Sequence, residues 1–158
     1  YLMAVLIDNL IAEELRKSAP DLTKESGQGF IRPIDAKSKL TSPFGIRNHP
    51  ILGVTRMHNG QDFSCVRDQP IWAAKTGKVI LADSKGGYGK TVLIEHEGPV
   101  ITLYAHLNEL LVSSGMEVKT GDLIGKCGTT GLSTGLHLHF EVRSGGEAKD
   151  PMIVLPNN

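Results

Sequence analysis

Two short segments of this chain carry the residue types that bind and use a metal. One is Gly135-Leu136-His137-Leu138-His139-Phe140-Glu141; the other is His58-Asn59-Gly60-Gln61-Asp62. Side chains alternate between the faces of an extended strand, so His137 and His139 project to one side of a sheet while Leu138 and Phe140 point into a core. H-x-x-x-D is also a helical i, i+4 spacing, but Gly60 in its middle and the β-prone Phe63 behind it favour a loop that runs into a strand. With His58 on the loop and Asp62 at the strand entrance, a loop that curls back brings both to one point. Two imidazoles and a carboxylate suit zinc in tetrahedral geometry with one position left open, which is where a hydrolase holds its water. A third segment, Leu103-Tyr104-Ala105-His106-Leu107, adds an imidazole, and alternation places Tyr104 and His106 on one face. Taken singly, an H-x-H is as well read as two solvent-facing histidines, and an H-x-x-x-D as chance; the conjunction points to chemistry. Of the six histidines, His49 and His96 fall outside these motifs, and His96, between Glu95 and Glu97 at a hairpin tip, reads as a surface residue.

The elements that position these residues are short strands. From residue 40 onward, Asp62–Val66, Pro70–Ala74, Gly77–Ser84, Lys90–His96, Val100–His106, Asp122–Cys127 and Leu136–Arg143 read as strands. Turn signals separate them at Gly86-Gly87-Tyr88-Gly89, Glu97-Gly98-Pro99, Ser113-Ser114-Gly115 and Gly131–Gly135. The gaps are too short for helical crossovers, so the expected fold is mainly β, an antiparallel sheet domain over residues 41–158. Ahead of it, apolar Met3, Ile7, Leu10, Ile11 and Leu15 recur at helical spacing, predicting one N-terminal amphipathic helix ended by Pro20; residues 18 to 40 read as a linker or extended arm. The helix is expected to pack on its own domain or on a neighbouring segment. The division is thus 1–40 and 41–158.

At 158 residues the chain has material for one core. Lys and Arg total 17 against 17 Asp and Glu, which argues against a partner recruited by charge, whether nucleic acid or an anionic membrane surface. No apolar run is long enough to span a bilayer, and the apolar opening Tyr1 to Ile7, cut short by Asp8, does not read as an intact signal peptide. Cys65 and Cys127 sit among small and apolar neighbours and read as ordinary buried thiols, with a single disulfide as the alternative in an oxidising compartment. Arg47 and Arg56 are expected to pair with nearby acids rather than to hold substrate carboxylates. For Glu141 two readings stand side by side, a carboxylate that orients a ligand imidazole and a solvated strand end.

From about Thr41 to Pro156 the chain resembles the lysostaphin-type or LytM-type zinc endopeptidases, which cut peptide bonds in bacterial peptidoglycan. The resemblance runs through Ser42-Pro43-Phe44-Gly45-Ile46-Arg47, Arg56–Phe63, Tyr104–Leu107, Val118–Gly125, Gly128–Gly135 and His137–Glu141. It implies a β-sandwich-like fold, with His58, Asp62 and His139 as zinc ligands and His106 and His137 as the catalytic pair. It also implies peptidoglycan peptides as partner, an extracytoplasmic setting (periplasm, cell wall, secretion, or a phage or secretion-system particle), and cleft walls from Pro50–Met57 and Gly128–Gly135. In latent relatives an upstream side chain fills the open metal position, so the arm before Thr41 is a candidate plug, and a regulatory or neighbouring domain is a candidate partner of the helix. A non-catalytic peptidoglycan-binding, morphogenetic or hydrolase-activating module of the same fold is the alternative. The glycines at 115, 121, 125 and 128 are also similar to those of biotinyl and lipoyl carrier domains, but Lys119 and Lys126 lack the exposed hairpin-tip setting of a modified lysine.

Overall fold

The computed structural model describes residues 29–49, 54–133 and 135–156. The expected helix over Leu2–Lys17 lies outside them. The described residues form strands Leu40–Ser42 (β1), Gly45–His49 (β2), Val54–His58 (β3), Gln61–Ser64 (β4), Pro70–Trp72 (β5) and Gly77–Ser84 (β6). Lys90–His96 (β7), Val100–Leu110 (β8), Glu117–Val118 (β9), Leu123–Cys127 (β10), His137–Ser144 (β11) and Glu147–Lys149 (β12) follow, with 3₁₀ turns at Gly86–Tyr88 and Pro151–Ile153. The main sheet runs β1-β4-β11-β8-β7-β6-β9, with every pair antiparallel, while β2 and β3 make a separate hairpin. In that hairpin Arg47 and Arg56 are register partners of each other.

The alternation of β11 organises the molecule. Leu138, Phe140 and Val142 are buried with Phe63 of β4 and Tyr104 of β8 in one apolar cluster, which sets the opposite face of β11 toward His137, His139 and Glu141. Each fully buried side chain of that size contributes about 1.5–3 kcal/mol, so a one-residue slip of β11 would exchange core and site at prohibitive cost. The cluster is closed from the other side by Ile71 of β5 and Ile124 of β10, and by Phe30 and Ile34 of the preceding arm. The described part of that arm is docked: Ile31 N–H donates to the Ala74 carbonyl and Trp72 N–H to the Pro33 carbonyl.

Strand β8 changes partners along its length. Residues 100–105 pair with β11, and Leu107–Leu110 pair with β10. The change happens at a bulge, where the β7 partners skip from Tyr104 to Leu107, and His106 takes a left-handed φ of 62°. This corrects the expectation for the Tyr104–His106 pair. Tyr104 is fully buried in the core, whereas His106 turns out of register to the other face, because the extra residue breaks the period of two.

Two further expectations are overturned. Cys65 and Cys127 are joined in a disulfide, because β10 folds over beside the end of β4 and brings their Cα atoms to 6.5 Å. His96 is a core residue, 4% exposed, rather than a surface one. Its Nδ1–H donates to the Thr76 carbonyl, its Nε2 accepts from the Thr102 hydroxyl, and its ring meets Phe30 edge-on. The hairpin tip lies beyond it, and β7 carries it inward on the same face as Ile94.

Candidate metal centre

Strands β4 and β11 supply the core of the site through a single register pair, since Asp62 and His139 are directly opposite. His139 Nδ1 lies 2.8 Å from Asp62 Oδ1. His58, the last residue of β3, reaches the same carboxylate from above, with Nε2 3.3 Å from Asp62 Oδ1. The turn that allows this is as tight as the chain permits. A Cβ on Gly60 would meet the Phe140 carbonyl oxygen at 2.4 Å and the His139 ring at 2.9 Å, so only glycine lets the backbone lie on β11 there. One donor atom from each of His58, Asp62 and His139 falls within 4.8 Å of the other two.

His137 and His106 complete a row of imidazoles. His137 Nε2 is 3.8 Å from Asp62 Oδ2, and the His106 ring stands 4.8 Å from that of His137, centroid to centroid. Backbone carbonyls fix three of the four rings: Nδ1–H donates to Pro43 in His58, to Thr130 in His106 and to Gly135 in His137. A carbonyl only accepts, so in each of these rings Nε2 is the nitrogen left for the cleft. The cleft, about 360 Å³, is lined by these four histidines and Asp62 together with Gly87, Tyr88 and Leu132.

Charge in the site is poised for a cation. Burial by itself would raise the Asp62 carboxyl, but hydrogen bonds from His139 and His58 outweigh it and hold the group well below the usual carboxylate range. Without a metal, the His139 imidazole, pushed down by burial, is drawn up to about 9 by Asp62 and Glu141. Burial lowers His106 and favours its neutral ring. His58 Nε2 and the Asp62 carboxylate are both acceptors facing each other, an arrangement that a proton or a metal ion must bridge. The donor set therefore fits zinc, as two imidazole nitrogens and one carboxylate oxygen are borderline ligands of the kind zinc takes.

All five residues singled out from the sequence thus meet at one cleft. Of the expected walls, the segment after Gly128 contributes Leu132, whereas neither Arg56 nor Met57 lines the cleft and residues 50–53 lie outside the described part. No lining residue comes from residues 29–40. Tyr88 was legible only as part of a glycine-rich turn; the nearest signal was an aromatic residue among three glycines.

A family model described as Peptidase family M23 matches residues 56–151, the stretch that holds all five. The chain belongs to peptidase family M23. Among its relatives, the DD-carboxypeptidase/endopeptidase Mpg of Neisseria meningitidis is 41% identical over 131 residues, covering 83% of this chain and 30% of that protein. The M23 domain here is also similar to a zinc-containing peptidase from Vibrio cholerae, at 37% identity and a TM-score of 0.76 over 82% of this chain and 41% of the other. The catalytic domain of lysostaphin from Staphylococcus simulans matches at 33% identity and a TM-score of 0.65, covering 73% of this chain and 90% of that domain. The chain thus spans under a third of the length of Mpg, while it accounts for nearly all of the lysostaphin catalytic domain.

Proposed function

We propose that this M23 domain is a zinc-dependent endopeptidase that hydrolyses peptide bonds in bacterial peptidoglycan. The observation that carries the reading is the convergence of His58, Asp62 and His139 on one point, with the free Nε2 atoms of His106 and His137 beside it. His58, Asp62 and His139 would hold the metal. When bound, zinc supplies a Lewis acid for the scissile carbonyl and lowers the pKa of water toward neutrality. The protein's own part is proton handling and orientation. His106, neutral through burial, accepts a proton from the attacking water at Nε2, and its Nδ1–H bond to Thr130 keeps that nitrogen aimed into the cleft. His137, on taking a proton from solvent at Nε2, donates a hydrogen bond to the oxygen on which charge develops, and that nitrogen lies 3.8 Å from Asp62 Oδ2.

The relatives support this substrate class, several of them being named as peptidoglycan DD-endopeptidases. The Cys65–Cys127 disulfide supports an oxidising, extracytoplasmic location, where peptidoglycan lies. Among the described residues, no helix is long and apolar enough to cross a membrane. The balanced charge gives no reason to invoke nucleic acid.

The deciding experiment is mass spectrometry of cross-linked peptidoglycan fragments incubated with the chain, with and without chelation, alongside His137→Ala. Release of shorter peptides that stops in both controls establishes the activity and identifies the bond. Intact fragments despite full zinc loading would instead assign the domain to binding or activation.

A further inference from the structure

The structure assigns Thr130 as the positioning residue of His106: its hydroxyl fastens the carbonyl that aims this imidazole to the two strands at the β8 bulge. The inference rests on the reading of the domain as an endopeptidase in which His106 accepts the proton of the attacking water. The carbonyl-held rings differ in how far away the anchor lies. His137 is tied to Gly135, two residues earlier, so its aim is a local matter. His106 is tied at 2.7 Å to the carbonyl of Thr130, which lies 24 residues on. Its φ of 62° is one that a residue with a Cβ keeps only where its surroundings over-determine it. The Thr130 loop must therefore be fixed relative to β8 for the imidazole to be fixed at all.

Thr130 supplies that fixation with its own side chain. Its hydroxyl donates to the Leu107 carbonyl at 2.6 Å and accepts from Lys90 N–H at 3.0 Å. Lys90 and Leu107 are register partners, the pair at which β7 and β8 meet again beyond the bulge. One hydroxyl thus bonds both strands, next to the residue that its own carbonyl aims. The loop is backed from a third side as well, since a Cβ on Gly89 would lie 2.5 Å from the Thr130 carbonyl oxygen. Thr130 is half-buried and does not line the cleft, so it acts on the reaction through His106 and not by touching substrate. A misplacement of about 1 Å can cost a catalytic site about 100-fold in rate. Serine keeps both of the bonds that oppose such a shift; valine and alanine keep neither.

The test is steady-state cleavage of cross-linked peptidoglycan fragments by the zinc-loaded chain, with zinc content measured beside it. Thr130→Val is expected to lower kcat about 10–100-fold at unchanged KM and parental zinc content, and Thr130→Ser to recover most of the loss. Valine sets a methyl group against the Leu107 carbonyl. Thr130→Ala removes the same bonds without that crowding, and it decides the matter if the valine variant does not fold. Both substitutions are repeated in His106→Ala, where they are expected to change the residual rate by about twofold at most, because the group they aim is gone. Parental kcat in a folded valine or alanine variant overturns the proposal. So does an equal loss in Thr130→Ser, the full loss repeated in His106→Ala, or failure of both variants to fold, each of which would make the side chain a matter of stability alone. A parent chain that leaves the fragments intact defeats the endopeptidase reading itself; a parent that cleaves them no faster than its Thr130 variants defeats only the role of Thr130.

Discussion

At the level of single residues, the distance of each imidazole from the Asp62 carboxylate separates ligands from proton carriers. His137 and His139 are neighbours on one strand face, yet only His139 has its metal-side nitrogen at 2.8 Å from Asp62, while His137 stands off at 3.8 Å. Asp62→Ala and His139→Ala are therefore expected to lose bound zinc. His106→Ala and His137→Ala are expected to keep it while turnover falls about 10²–10⁴-fold. Metal content by mass spectrometry beside a turnover assay reads both; a His137→Ala protein without zinc and a His139→Ala protein with it would reverse the assignment within the strand. His58, Asp62, His137 and His139 were legible in the sequence because strand alternation and a glycine turn are local properties, whereas His106 was singled out by its motif and its role by the resemblance, since the bulge in β8 overrides the alternation. Tyr88, Arg143 and the burial of Glu141 were not, because they depend on a 3₁₀ turn and a strand that meet only in the folded sheet.

Among the elements, the decisive one is the bulge in β8. Strands β6 and β7 fall where turn residues bracket them, over Gly77–Ser84 and Lys90–His96, and the sequence sufficed to place both. Strand β8 was foreshortened at His106, since nothing local announces that a strand will change partners and continue to Leu110. The same event aims His106 into the cleft. Its ring is then held by the Thr130 carbonyl, in a loop packed against the Gly86–Tyr88 turn with no room for a side chain: a Cβ on Gly131 would lie 2.4 Å from Gly89 N and 2.5 Å from the Gly87 oxygen. Gly131 also has a φ of 76°, where an L residue is strained. Gly131→Ala should push the two loops apart, lower stability by about 1–3 kcal/mol and reduce turnover without releasing zinc. Thermal unfolding and metal content check this together, and a variant with parental turnover would mean that the loop contact does not position His106.

For the molecule as a whole, two long-range links hold the site's supports together, and the sequence showed neither. The Cys65–Cys127 bridge closes a separation of 62 residues, joining the end of the Asp62 strand to the strand that leads into the Thr130 loop. By loop-closure entropy it is worth about 4 kcal/mol, and its reduction is expected to lower the urea midpoint accordingly, while an unchanged midpoint would assign the fold's stability to the core alone. The second link is His96. Ala74 N–H donates to the Tyr104 hydroxyl, which donates to Thr102, which donates to His96 Nε2, and His96 Nδ1–H donates to Thr76, so each group in the chain is satisfied only while the imidazole is neutral. Burial first, and the nearby Lys75 charge second, depress the His96 pKa to about 4 from 6.5, against the opposing bond to Thr76. The unfolded chain therefore binds a proton here that the folded one refuses. The contribution is complete above the unfolded value of 6.5, declines as the pH falls and is gone below about 4, a loss on the order of 3 kcal/mol. Carboxylates such as Asp62 and Glu141 also weaken the fold in acid, so the informative quantity is the difference between parent and His96→Gln. Urea unfolding of the metal-free proteins at steps from pH 7.5 to 4 should show the parent losing stability more steeply through this window; parallel curves would mean that the folded protein accommodates the His96 imidazolium, and that the hydrogen-bonded chain from Ala74 to Thr76 is not what keeps it neutral.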